Sequence, residues 1–176
     1  MKTMNRIKMM TYSSLFVALI AAGAFIAIPV GPVPIVLQNM FVLLAGLLLG
    51  PRWGLASVAI YLLLGIFGLP VFAGGTGGLG RIVGPTGGYL VGYLPCVYAT
   101  GIIARKNKNS VLVDISAMIT GSVIIYAAGV TWLKLTSGMG WDKAFAAGMY
   151  PFLPGNCIKI AAAAFIARHA RPLMRG

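Results

Sequence analysis

Long apolar runs follow one another along almost the whole chain, separated by short breaks rich in proline, glycine or basic residues. A helix needs roughly 17–25 apolar residues to cross a bilayer, and about six such runs with short connections fill 176 residues. Composition agrees: 59% of the residues are hydrophobic and 9% charged, against about 25% charged in soluble globular domains. The expected fold is therefore all-α, an integral membrane protein forming one compact bundle of six transmembrane helices over residues 1–176, without a second, soluble domain.

The breaks set the boundaries. Lys2, Arg6 and Lys8 precede the first run, which is long enough and close enough to further spans to read as an uncleaved helix over 11–28 rather than a signal peptide. Prolines 29, 32 and 34 stop it, because proline lacks a donor and restricts its predecessor. Helices 2 and 3 are expected over 35–50 and 55–69, joined by a tight turn at Pro51-Arg52-Trp53-Gly54. Residues 70–88 are too glycine-rich for a helix and too apolar for a solvated linker, so they read as a re-entrant or cavity-capping loop. Helix 4 follows over 88–104, with a kink expected at Pro95, then helix 5 over 111–133, a polar-aromatic loop over 134–150, and helix 6 over 151–170. Cys96 and Cys157 both fall in predicted spans and read as small buried apolar residues.

Six spans put both termini on one side, and the bases identify it. Ten of the 14 Lys and Arg residues fall on the terminal side; Arg81, Lys134 and Lys143 fall on the other. By the positive-inside rule the protein is a multi-pass protein of the cell membrane with both termini cytoplasmic. The glycine loop, the 134–150 loop and the start of helix 6 then face outside. The formal net charge of +12 is explained by this rule. Nucleic-acid binding is not expected, because the bases form no patch or stripe.

Several chemistries are excluded. The chain has two acidic residues, Asp114 and Asp142, and one histidine, His169, so paired carboxylates, a nucleophile–base pair and a metal cluster are missing. No enzyme activity, metal or cofactor is expected. Gly75-Thr76-Gly77-Gly78-Leu79-Gly80 matches the dinucleotide fingerprint in letters only, since no strand precedes it and no acidic residue follows at the required distance. No phosphate-binding loop is present either, so the chain cannot drive transport with ATP by itself.

What remains are polar residues inside apolar surroundings. Lys159 lies in the last span, in Pro154-Gly155-Asn156-Cys157-Ile158-Lys159; a charge there costs roughly 2.5–3.5 kcal/mol and marks a functional site by default. Asn156 stands three residues earlier on the same helix face. Arg81, in the glycine loop, carries a planar fork suited to an anion or a carbonyl. An anionic ligand would supply the charge that neither base finds in the sequence. Phe72 and Tyr89 are candidate pocket walls, and Gln38 and Asn39 can hydrogen-bond either a ligand or a neighbouring backbone. On helix 1, Ala18 and Ala22 with Ser14 one turn earlier and Gly23 beside them form a small-residue seam, open either to packing within the chain or to another membrane protein.

Pro34-Ile35-Val36-Leu37-Gln38, Gly80-Arg81-Ile82-Val83-Gly84-Pro85-Thr86-Gly87-Gly88-Tyr89-Leu90 and Pro154-Gly155-Asn156-x-x-Lys159 together resemble BioY, the family of substrate-binding (S) components of energy-coupling-factor biotin transporters. The resemblance spans nearly the whole chain. It implies a six-helix membrane protein that captures biotin from outside and pairs with a transmembrane coupling protein and two cytoplasmic ATPases, the docking motif matching Ala18-xxx-Ala22. It also implies ligand contacts at Arg81, Asn156, Lys159, Tyr89, Gln38 and Phe72. The family's last-helix motif usually reads Pro-Gly-Asp-x-x-Lys; here Asn156 replaces the acid, and an amide still accepts from a ureido N–H. The alternatives are an S component for a different vitamin, or a stand-alone secondary carrier or channel for a small anion. Such carriers often use repeats and relays, and neither an internal repeat nor an acidic relay is visible.

Overall fold

A computed structural model describes residues 2–29, 31–107 and 110–175. In chain order they form α1 (Lys2–Phe25), β1 (Ala27–Ile28), β2 (Ile35–Val36), α2 (Gln38–Ile66), α3 (Leu79–Val83), α4 (Gly87–Ala104), α5 (Val111–Ser137), α6 (Trp141–Gly148), a 3-10 turn at Tyr150–Phe152 and α7 (Leu153–Arg175). Among the described residues five stretches are long and apolar enough to cross a membrane: Arg6–Phe25, Gln38–Ile66, Gly87–Ala104, Val111–Ser137 and Trp141–Met174.

The second of these crosses twice. Gly50 leaves the helical region, with φ 77° and ψ −176°, a conformation that glycine reaches at little cost. A β-carbon placed on Gly54 would lie 3.1 Å from the carbonyl oxygen of Ala45, whereas nine residues of straight helix span about 13 Å. The chain therefore folds back at Gly50, and 38–49 and 51–66 are two antiparallel helical segments. Helices 2 and 3 are thus two helices as expected, but the reversal is made by Gly50; Pro51 opens the second helix, where its missing N–H would have had no partner anyway. With this hairpin the all-α membrane protein has six crossings.

The bundle is layered around α4, which packs against α2 on one side and α5 on the other, while α1 covers α2 and α7 bridges α2 and α5. Small residues permit the close approach. A β-carbon on Gly46 would fall 2.9 Å from the Val97 carbonyl oxygen, and Gly121 faces Thr100, Leu43 and Cys96. α4 carries Pro95 inside its span.

Three boundaries differ from the sequence reading. Residues 27–28 are not the end of the first helix; they pair with 35–36 as an antiparallel hairpin in the register Ala27↔Val36 and Ile28↔Ile35, since the intervening prolines rule out a helix. Residues 70–88 contain the short helix α3 rather than irregular backbone throughout. The 134–150 stretch is mostly ordered: α5 runs on to Ser137, Gly138 caps it at φ 64°, and α6 follows with Ala144 and Gly148 buried. Two turns of helix with one buried edge give too little apolar pattern to stand out from a loop.

At the end of the bundle that holds the termini, Arg171 of α7 donates to both carboxylate oxygens of Asp114 at 2.6 and 2.7 Å. The opposite end gathers the hairpin, the glycine loop, α6 and the 3-10 turn.

Candidate ligand-binding site

The glycine-rich loop is held by its own backbone. Phe72 N donates to the Thr76 carbonyl at 2.8 Å, Gly78 N to Gly65 at 2.7 Å, and Gly74 N to Ala24 of α1 at 3.2 Å. Gly74 and Gly75 sit at φ 71° and 70°, the left-handed region that side chains disfavour. Gly65 leaves room for the Phe72 ring, which a β-carbon there would strike. Phe72 meets Tyr61 edge to face at 5.6 Å, and Tyr61 Oη donates to the Val71 carbonyl at 3.0 Å. The loop thus presents Phe72, Ala73 and Thr76 inward as a fixed wall.

The hairpin supplies the second wall and the first partner of Lys159. Leu37 N donates to the Gly23 carbonyl at 3.1 Å, which fixes the entry into α2 and turns the Val36 carbonyl toward α7. Lys159 Nζ donates to that carbonyl at 2.6 Å and to Asn39 Oδ1 at 3.1 Å. Asn39 Nδ2 in turn donates to Asn156 Oδ1 at 3.4 Å. Lys159 is 7% exposed and Asn156 6%, so the lysine does not snorkel to an interface. Neither of its partners carries a charge.

Between these walls lies a cavity of about 650 Å³, its mouth included, whose lining takes in Phe72, Arg81, Tyr89, Gln38, Asn39 and Lys159. Small-molecule pockets are mostly apolar with a few converging polar groups, as this lining is. Tyr89 is fixed by a 2.7 Å hydrogen bond from its hydroxyl to the Gly148 carbonyl of α6. Arg81 is exposed at the rim, and no side-chain hydrogen bond or ion pair of its guanidinium is found among the described residues. Gln38 is almost fully buried with its side chain beside the Tyr61 hydroxyl, and the Tyr126 hydroxyl, on the lining, has no hydrogen-bond partner among the described residues. A buried donor left unsatisfied costs about 1–3 kcal/mol, so the Tyr126 hydroxyl is available to an acceptor on a ligand. No group of three or more metal-ligating side chains occurs among the described residues.

The BioY family model matches residues 1–176. The chain belongs to the BioY family. Among its relatives are a biotin transporter BioY of Thermotoga maritima, 43% identical over 92% of this chain and 94% of the relative, and a probable biotin transporter BioY of Pyrococcus horikoshii, 42% identical over 88% and 90%. A crystal structure of the S-component for biotin from an ECF-type ABC transporter superposes with a TM-score of 0.92 at 34% identity, covering 98% of this chain and 95% of that one. The family is a transporter component and not an enzyme.

Of the six ligand contacts expected in this BioY-family chain, the fold brings Arg81, Lys159, Tyr89, Gln38 and Phe72 onto one cavity. Asn156 is displaced from that set. It stands behind Asn39 and lines a separate, strongly apolar groove between α5, α6 and α7 that opens on the bundle's flank. Asn39 lines the cavity in its place. Thr76, Thr86, Tyr93 and Tyr126 also line it; Tyr93 stands one turn after Tyr89 on the same helix face, the signal that would have singled it out. Ala18, Ala22 and Ser14 are exposed on the outward face of α1, so they do not pack within the chain. The small residues that α1 turns inward are Ser13, Gly23 and Ala24, Gly23 against Phe41. Cys157, expected to be buried, is exposed, whereas Cys96 is buried.

Proposed function

We propose that this protein captures biotin as the substrate-binding component of an energy-coupling-factor transporter, and that a transmembrane coupling protein and two cytoplasmic ATPases complete the machine. One observation carries the reading beyond family membership: two cations without an acid partner, Arg81 at the rim and Lys159 in the wall, face one cavity lined by Phe72 and Tyr89. A ligand with an apolar fused-ring head, a polar ureido edge and a carboxylate matches that set. Its rings lie against Phe72 and Tyr89, Lys159 meets an acceptor with Gln38 beside it on the lining, and Arg81 meets either the carboxylate or the ureido carbonyl. Asn156 acts on the ligand through Asn39.

The base count argues for cytoplasmic termini and a cavity open to the outside. The exposed Ala18 and Ala22 offer a partner helix a close approach, which supports docking of the coupling protein on α1. Calorimetry on purified protein tests capture: submicromolar biotin affinity is expected, and weaker binding sinks the reading. Uptake in cells with and without the coupling protein and ATPases tests the rest. Strong uptake by this chain alone would instead favour a secondary carrier.

A further inference from the structure

Lys159 and Asn156 share a helix face, yet the hydrogen bonds run through a third residue. An ammonium can only donate, so the atom that Asn39 turns to Lys159 at 3.1 Å must be its oxygen. The Asn39 amide nitrogen is thereby directed away from the lysine, and at 3.4 Å from Asn156 Oδ1 it donates there. The direction of both amides is thus dictated by the charge at the head of the chain. Asn39 lines the cavity; Asn156 is buried behind it and lines only the flank groove.

We infer that Asn39 is the positioning residue for Lys159, holding the ammonium in the cavity wall in place of an acid, with Asn156 orienting Asn39 from behind. The Val36 carbonyl, the other acceptor at 2.6 Å, belongs to the hairpin and constrains one N–H direction. Asn39 constrains a second, which leaves the third of the three ammonium donors for the ligand. Without Asn39 the flexible four-carbon stem is held at one point only, and its charge no longer sits at a fixed place on the wall. The amide chain also explains how this protein manages with no carboxylate at position 156: an acid there could take the lysine directly from the same helix face, three residues away, and Asn39 would then be dispensable.

This inference rests on the proposed capture of biotin, and the experiment separates the two. Biotin affinity is measured by calorimetry on the whole protein in detergent for wild type, Asn39→Ala, Asn156→Asp and the double variant Asn39→Ala/Asn156→Asp. Loss of a hydrogen bond to a charged group predicts about a tenfold or greater fall in affinity for Asn39→Ala. In the Asn156→Asp background the same substitution is expected to cost less than about threefold, because the new carboxylate holds Lys159. A filling or merely structural role for Asn39 gives the same loss in both backgrounds, and that result, or no loss in either, overturns the inference. Where Asn39→Ala yields aggregated protein, Asn39→Ser carries the same cycle with the same expected rescue. A wild type that fails to bind biotin instead overturns the underlying function, whatever the variants do.

Discussion

Two cations near the two ends of α7 are treated differently by the same fold. Arg171, twelve residues after Lys159 and about 18 Å further along the helix, meets a carboxylate in a fork of two short hydrogen bonds, with Asp114 almost fully buried. Lys159, equally enclosed, has a carbonyl and an amide. A cation whose counter-charge is built into the chain ties α5 to α7 and is satisfied at all times. A cation given only neutral acceptors keeps its electrostatic demand for whatever enters the cavity. The difference separates a structural from a functional charge without reference to position in the sequence.

The sharpest way to break that distinction is to remove each charge in turn. Asp114→Ala leaves the Arg171 guanidinium without its carboxylate in a buried setting, and breaking such a pair costs about 3–5 kcal/mol. Thermal or denaturant unfolding in detergent should register that loss, while biotin affinity of the protein that remains folded stays within twofold. Lys159→Ala should do the reverse. Biotin affinity should fall by roughly 2–4 kcal/mol, with stability within about 1 kcal/mol of wild type, since the ammonium gives up only neutral partners. If Lys159→Ala unfolds the protein as Asp114→Ala does, the two cations are alike and the distinction fails.

Much of this contrast was legible in the sequence, and the missing part has a physical cause. Apolar runs long enough to span fixed six crossings, and an unpartnered Lys159 in one of them was conspicuous because hydrocarbon offers it nothing. The glycine loop was recognisable as a wall because its composition suits neither helix nor linker. In sequence Arg171 is one of several bases close to the end of the last apolar run, and its pairing with Asp114 is invisible there: the two are 57 residues apart, and nothing local marks either as buried. Asn39 was left undecided for the same reason, since an amide close to the hairpin finds its partner only once α7 lies beside α2. The reversal at Gly50 rather than after it depended on a single positive φ, and α6 was too short to show a periodic pattern.

If the functional charge lies at the loop end, the remaining functional surface should be separable from it. Ala18 and Ala22 are exposed on α1, which packs against α2 and contributes nothing to the cavity lining. Ala18→Leu or Ala22→Leu overpacks an approaching helix, a cost of about 1–3 kcal/mol. Biotin uptake should then drop toward that of cells lacking the coupling protein, with calorimetric affinity unchanged. Lost affinity in these variants would mean that the seam belongs to the binding half.

The smallest expected effect tests whether the loop end is held as firmly as the terminal end. There the counterpart of the Asp114–Arg171 tie is neutral: Tyr89 Oη donates at 2.7 Å to the Gly148 carbonyl, joining α4 to α6, while the ring packs against Gly129. Tyr89→Phe keeps the ring and removes the donor, so a buried carbonyl loses its partner at a cost of about 1 kcal/mol. That is several-fold less than the loss expected on breaking the ionic tie. Because the ring, not the hydroxyl, is what the cavity sees while Oη is engaged, biotin affinity should stay within about twofold. A tenfold loss of affinity with unchanged stability would show that the hydroxyl leaves Gly148 for the ligand, and that α6 is released from α4 when the cavity fills.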